Sequence, residues 1–186
     1  LKKSKRFLID LSYFDIENHN IFNTNEKYFL SFFGSASGIK NFELFLECAD
    51  AVSSDDRKVL VQTNSKLDSI SLKIIQNNPN IDLINTFVSK EEYLKNMASS
   101  SIVWSFYRKD YDQTSGVFGH AYQLGKKILI RSNSLLSNFN SNNIIKVATK
   151  ESIIKELNST ILLHEPHNQI NLGFINQCKS SWSNAD

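Results

Sequence analysis

From residue 28 onward, short apolar runs alternate with segments whose apolar positions recur every three or four residues. The runs are rich in aromatic and β-branched residues, which suits strands buried on both faces. They fall at 28–33, 58–62, 81–87, 101–106, 127–131 and 144–147. Between the first two, Ile39, Phe42, Leu46 and Ala49 define one helix face, with Cys48 on its inward side. A helix over 67–76 would turn Leu67, Ile70 and Ile74 inward, and Asn77-Asn78-Pro79 would stop it. Ser89-Lys90-Glu91-Glu92 resembles a capped helix start running to about Ala98. Thr114 or Ser115 can cap a helix carrying Val117, Ala121 and Leu124, which Gly125 ends. Further helices are expected at 151–158 and 169–181. Strand–helix alternation of this kind predicts an α/β fold: a single doubly wound domain, its mainly parallel sheet built of about six strands with helices on both faces. Residues 1–27 read as an irregular segment, with a strand-like run at 7–11 and a loop at 18–25.

Two strand-to-helix loops carry the candidate chemistry, because ligands of open α/β sheets bind at the carboxyl ends of strands. The first is Phe33-Gly34-Ser35-Ala36-Ser37-Gly38-Ile39-Lys40. Its glycines permit close backbone approach. Lys40 in a first helical turn would oppose the helix dipole, a penalty that a bound anion would reverse. The local residues alone favour an ordinary turn with a solvated lysine over an anion site, since neither G-x-G-x-x-G nor a P-loop is present. The second loop runs over 107–115 and leads into Ser115-Gly116-Val117. Free N–H groups at that helix start suit a phosphate. Gly116 and Gly119 suggest close approach by a ligand, or tight helix-to-sheet packing in the case of Gly119, and His120 follows one turn later. Asp110-Tyr111-Asp112 has the spacing of a cation-binding D-x-D, but no further ligand is identifiable and no metal site is expected.

Composition narrows the classes of function. The chain has 186 residues and a formal net charge of +2, which suits one domain and lacks the basic bias of a nucleic-acid binder. Its basic cluster Lys2, Lys3, Lys5, Arg6 fits a solvated terminus, or contact with a partner domain or anionic membrane. Cys48 and Cys178 show no metal-ligand spacing, and a disulfide between them is one open option beside two free thiols. No apolar run approaches the ~20 residues that span a bilayer. Asn158-Ser159-Thr160 matches a glycosylation sequon, a motif common by chance. Leu1 is not an initiator methionine, so the chain is expected to be part of a longer protein. A receiver-type signalling domain would need an acidic cluster after the first strand and an aspartate after the third; Phe33-Gly34 and Phe87-Val88 supply neither.

Taken together, these loops resemble the C-terminal nucleotide-sugar domain of retaining glycosyltransferases with two Rossmann-like domains (the GT-B architecture, family four, glycosyl transferases group 1). The similarity covers roughly 28–182. FLSFFGSASGIKNFELFLECA fits the family's first strand, basic loop and helix, with Lys40 on its lysine position and Ser35 in place of its arginine. The family's later motif has two glutamates eight positions apart, then an alanine and a Gly-Lys-Pro-Val segment. Asp112 and His120 take the glutamate positions here, followed by Ala121 and Gly125-Lys126-Lys127-Ile128. Lys179-Ser180-Ser181-Trp182 resembles the family's closing helix.

The resemblance implies a Rossmann-like donor-binding domain over 28–186 that binds a nucleoside-diphosphate sugar, for transfer to a glycan or polysaccharide acceptor. By analogy Lys40 and Asp112 would serve catalysis, Lys40 by neutralising the diphosphate and Asp112 by contacting sugar hydroxyls. Ser115, Gly116 and Val117 would offer N–H groups to the diphosphate, and His120 would stand where a carboxylate holds the ribose. Gly34, Ser35, Asn64, Phe87, Val88 and Tyr107 complete the expected donor site. No metal or other cofactor is implied. The acceptor, glycan or lipid-linked, would come through an N-terminal domain absent from these residues, so this stretch by itself would bind donor with little transfer. The expected setting is cytoplasmic, with the full protein at the inner membrane face as a peripheral option. The alternative is a degenerate, non-catalytic module that binds a nucleotide or partner. Loss of the arginine removes one charge-assisted hydrogen bond to phosphate, and an imidazole offers one acceptor nitrogen where a carboxylate has two oxygens.

Overall fold

A computed structural model describes residues 25–111, 115–139 and 141–160. The strands are β1 (Tyr28–Phe33), β2 (Val59–Thr63), β3 (Ile81–Asn85), β4 (Ser100–Ser105), β5 (Lys127–Arg131) and β6 (Ile144–Val147). The helices are α1 (Phe42–Val52), α2 (Ser69–Asn77), α3 (Lys90–Ala98), α4 (Gly116–Gln123) and α5 (Lys150–Ser159), with 3₁₀ turns at Gly38–Lys40 and Leu135–Asn138. The six strands form one sheet in the order β3-β2-β1-β4-β5-β6. Every pairing is parallel, from Leu30 beside Val59 to Ile128 beside Ile144. The chain winds outward from β1 to β3, returns to β4 and winds outward the other way. β1 and β4 are therefore the neighbours at which the winding reverses, and a crevice opens at their carboxyl ends.

Alternation along each strand feeds two apolar layers. Val59 and Val61, Ile102 and Trp104, and Leu129 pack with α1, α2 and α5. Leu60, Val103, Ile128 and Ile130 pack with α3 and α4. Phe45 and Leu46 on one side and Leu94, Met97 and Phe118 on the other are almost fully buried, each contributing about 1.5–3 kcal/mol by leaving water. Ser31 Oγ and Ser100 Oγ satisfy one another across the β1–β4 pairing at 2.7 Å. Helix starts are set by caps: Asp68, Ser89, Ser115 and Thr149 each accept a backbone N–H of the first turn.

Several expectations shift. The first helix begins at Phe42, after Asn41 in the left-handed region at φ 51°. Ile39 and Lys40 thus lie in the preceding 3₁₀ turn, and Ile39 is 43 % exposed instead of facing inward. Leu67 precedes α2, and Ile70 is 73 % exposed; Ile75 takes the buried position expected of it. The apolar positions of 67–76 also match a frame starting at Asp68, and that cap decides the phase. β3 stops at Asn85, so Phe87 stands outside the sheet at 84 % exposure. Cys48 is buried among the α1 side chains, which pushes its thiol up to about 11. The helix expected at 169–181, Cys178, the 7–11 run and Thr114 lie outside the described residues.

Candidate functional site at the winding reversal

The loop after β1 is bent by Gly34 at φ +99°, whose N–H donates to Gln62 O at 3.0 Å. The following turn is clamped from β4: Trp104 Nε1 donates to Lys40 O at 3.0 Å, Asn41 Nδ2 to Phe106 O at 3.0 Å, and Arg108 N to Ile39 O at 2.9 Å. With its backbone fixed, Lys40 folds back over Gly34 and donates to Phe33 O at 3.3 Å. A Cβ at residue 34 would collide with Lys40 Nζ. Gly34 therefore meets two demands, a backbone angle and a berth for the ammonium. Burial pushes the Lys40 ammonium down from its ordinary range, and no carboxylate among the described residues pairs with it.

The second loop meets the first at this crevice. Tyr107 is buried, and its hydroxyl bonds Ser115 Oγ, which also caps α4 by accepting from Phe118 N at 3.2 Å. The Ser115 side chain is thus committed to the fold, leaving the first amides of α4 as the groups on offer. Arg131 donates from Nε to Tyr107 O at 3.3 Å and so ties this loop to β5. Asp110 is held by Nε and Nη2 of Arg108, an arrangement that does not suit a metal ligand. Among the described residues no group of three His, Cys, Asp or Glu could hold a metal ion.

Two adjoining clefts, each of about 310 Å³, open here. Lys40, Tyr107, Ser115, Gly116, Val117 and His120 line one. Gly34, Asn64, Phe87 and Val88 line the other. Ser35 is exposed and belongs to neither lining, and Asp112 lies outside the described residues. Sequence reasoning missed Tyr93, which lines both clefts, as well as Lys90, Gln62, Thr86 and Tyr111. No short motif announces Tyr93: it follows the Ser89 cap by four positions, and only the crossover of α3 to the α4 side of the sheet brings it to the crevice.

His120 Nδ1 lies 3.2 Å from Tyr93 Oη, and the two rings meet edge to face at 5.6 Å. Burial holds the imidazole down to about 4, with the Lys90 charge adding to the effect. At neutral pH the ring is uncharged, leaving Lys40 as the cation of its cleft. One cleft thus combines a half-buried ammonium with helix amides, which suits an anion. Its neighbour offers an exposed aromatic ring and polar backbone, which suits a planar heterocycle.

A six-stranded parallel sheet wound in this order, with its crevice at the reversal, is a Rossmann-like domain. It is similar to the C-terminal domain of a glycosyl transferase group 1 family protein, LpcC, from Francisella tularensis, with a TM-score of 0.63 and 12% identity over 94% of this chain and 97% of that one. It is similar to the pneumococcal O-GlcNAc transferase GtfA, solved in complex with UDP and GlcNAc, with a TM-score of 0.60 and 10% identity over 87% of this chain and 35% of that one. It is also similar to AviGT4, a glycosyltransferase involved in avilamycin A biosynthesis, with a TM-score of 0.59 and 14% identity over 86% of this chain and 52% of that one. The chain therefore spans about half the length of AviGT4 and about a third of GtfA. No family model matches the sequence, and no curated protein matches it. Among the described residues no helix is long and apolar enough to cross a membrane.

Proposed function

We propose that this chain is the donor-binding half of a glycosyltransferase and holds a nucleoside-diphosphate sugar across the two clefts. The observation that carries the proposal is Lys40: a half-buried ammonium with no carboxylate partner among the described residues, in one cleft with the amino end of α4. Such a charge is costly until an anion arrives. When the bond from the sugar's anomeric carbon to the diphosphate breaks, its electron pair leaves on the diphosphate. Lys40 and the amides at Gly116 and Val117 stabilise that charge. Asp112 is the proposed contact to sugar hydroxyls, and Phe87 with Val88 and Asn64 the wall for the base. The reading needs no metal. Retention of anomeric configuration, an acceptor brought by a second domain, a glycan or lipid-linked acceptor and a cytoplasmic setting belong to the same proposal.

The test is a calorimetric titration with uridine and guanosine diphosphates. Saturable binding of either in the micromolar range is expected, and absence of binding of both at millimolar concentration overturns the donor-site reading. Turnover of a nucleotide sugar by the full-length protein then separates a transferase from a domain that only binds.

A further inference from the structure

Tyr93 stands where the two clefts meet, since its side chain lines both. α3 delivers it and α4 delivers its partner, so the junction depends on two crossovers of the fold. Its ring is held from one side by Phe33, edge to face at 5.5 Å, and from the other by His120 at 5.6 Å. Its hydroxyl is set by His120 Nδ1 at 3.2 Å. Burial keeps the phenol protonated and the imidazole neutral at physiological pH. The junction is therefore an uncharged hydroxyl, rigidly placed, between an anion cleft and a cleft with an exposed aromatic ring. A phenol oxygen that bonds one imidazole nitrogen still has hydrogen-bonding capacity for a second partner.

In a nucleoside diphosphate the ribose joins the base to the phosphates. A ligand with its phosphates at Lys40 and its base at Phe87 must bring the ribose past Tyr93. A neutral hydroxyl suits a neutral diol, to which it donates or from which it accepts according to the His120 tautomer. We propose that Tyr93 reads a ribose hydroxyl of the bound nucleoside diphosphate, with His120 as the positioning residue that aims the phenol. The assignment rests on the donor-site reading above, and it moves the sugar contact from His120, where sequence reasoning put it, to a residue on another helix. Recognition of this kind penalises a ligand lacking the hydroxyl, because the second hydrogen-bonding position of the half-buried phenol is then left unfilled.

Calorimetry on the full chain with uridine diphosphate, its 2′,3′-dideoxy analogue and inorganic pyrophosphate tests this. The wild-type protein is expected to bind the ribonucleotide about fivefold or more tightly than the dideoxy analogue. In Tyr93→Phe that preference should vanish while pyrophosphate affinity stays within about twofold, since the Lys40 clamp is untouched. A preference that is absent in the wild type, or that survives in Tyr93→Phe, overturns the assignment. Should Tyr93→Phe fail to fold, His120→Asn takes its place: a preference narrowed at least about twofold supports the aiming role, and an unchanged one overturns it. If the wild type binds neither uridine diphosphate nor pyrophosphate, it is the donor-site reading that falls.

Discussion

Two lysines lie at opposite ends of the sheet, one buried and one half-buried, and they are treated differently. Lys126 precedes β5 at the amino-end rim, with a side chain only 2 % exposed and its ammonium 3.3 Å from Glu26 Oε1. Glu26 is itself fixed by Ser101 Oγ at 2.6 Å. Lys40 sits at the carboxyl-end rim and donates to the Phe33 carbonyl at 3.3 Å, with no carboxylate partner among the described residues. Burial pushes both ammonium groups down from the ordinary lysine range, but only Lys126 has a carboxylate pulling it back up. A buried charge is tolerated when paired. The paired lysine belongs to the fold, whereas Lys40, without a carboxylate partner among the described residues, is the one the proposed donor site uses.

The comparison breaks most severely at Glu26. Replacing it by Gln leaves Lys126 buried without a counter-charge, and the domain should lose ~2–4 kcal/mol of unfolding free energy. Lys126→Met should cost less, because the abandoned Glu26 is a third exposed and keeps its bond to Ser101. Urea titrations of both variants check the order. Equal losses would mean that the pair contributes through packing instead of charge.

The carboxyl-end site should also be the acid-sensitive one. His120 titrates at about 4 in the fold against an ordinary 6.5. Between those values the unfolded chain binds the extra proton and the native state does not. This contribution is therefore fully present above pH 6.5 and is lost as pH falls toward 4, a drop of ~2–3 kcal/mol. His120→Gln should flatten that part of the stability profile. A slope that persists in the variant would assign the acid sensitivity to other groups.

The fold was largely legible in the chain because strands buried on both faces announce themselves as apolar runs, and all six fell within a few residues of their predicted places. Helix phase was less legible. Ile39 and Ile70 matched a helical period, but Asn41's left-handed turn and the Asp68 cap set the actual frames, and both residues point to solvent. Loop residues such as Lys40 and Ser115 could be placed at the site because strand ends converge there by topology. Tyr93 could not, since its position depends on which face α3 packs against. The pairing that distinguishes Lys126 from Lys40 was equally hidden: Glu26 and Lys126 are one hundred positions apart, and no pattern along the chain joins them.

Lys40→Met separates fold from function at the same position. Methionine keeps the length and apolar stem without the charge, so the melting temperature should hold or rise. Affinity for a nucleoside diphosphate should fall by ~1–3 kcal/mol, the scale of a charged hydrogen bond. Paired thermal melts and titrations read both quantities. A variant that melts lower and binds as before would make Lys40 a structural lysine like Lys126.

A third lysine supplies the baseline. Lys95 pairs with Glu91 at 2.8 Å, one turn apart on α3, with both side chains about half exposed. The glutamate lies on the amino-terminal side, the more favourable orientation. Water screens the attraction, and holding two long side chains together costs entropy, so Lys95→Ala should change stability by no more than ~0.2–0.5 kcal/mol. The change should shrink further in high salt. This distance is shorter than that of the Lys126–Glu26 pair, yet the expected effect is several times smaller. If unfolding titrations found the two pairs equal, burial would cease to be what separates them, and a half-buried Lys40 without a carboxylate among the described residues would carry no special cost.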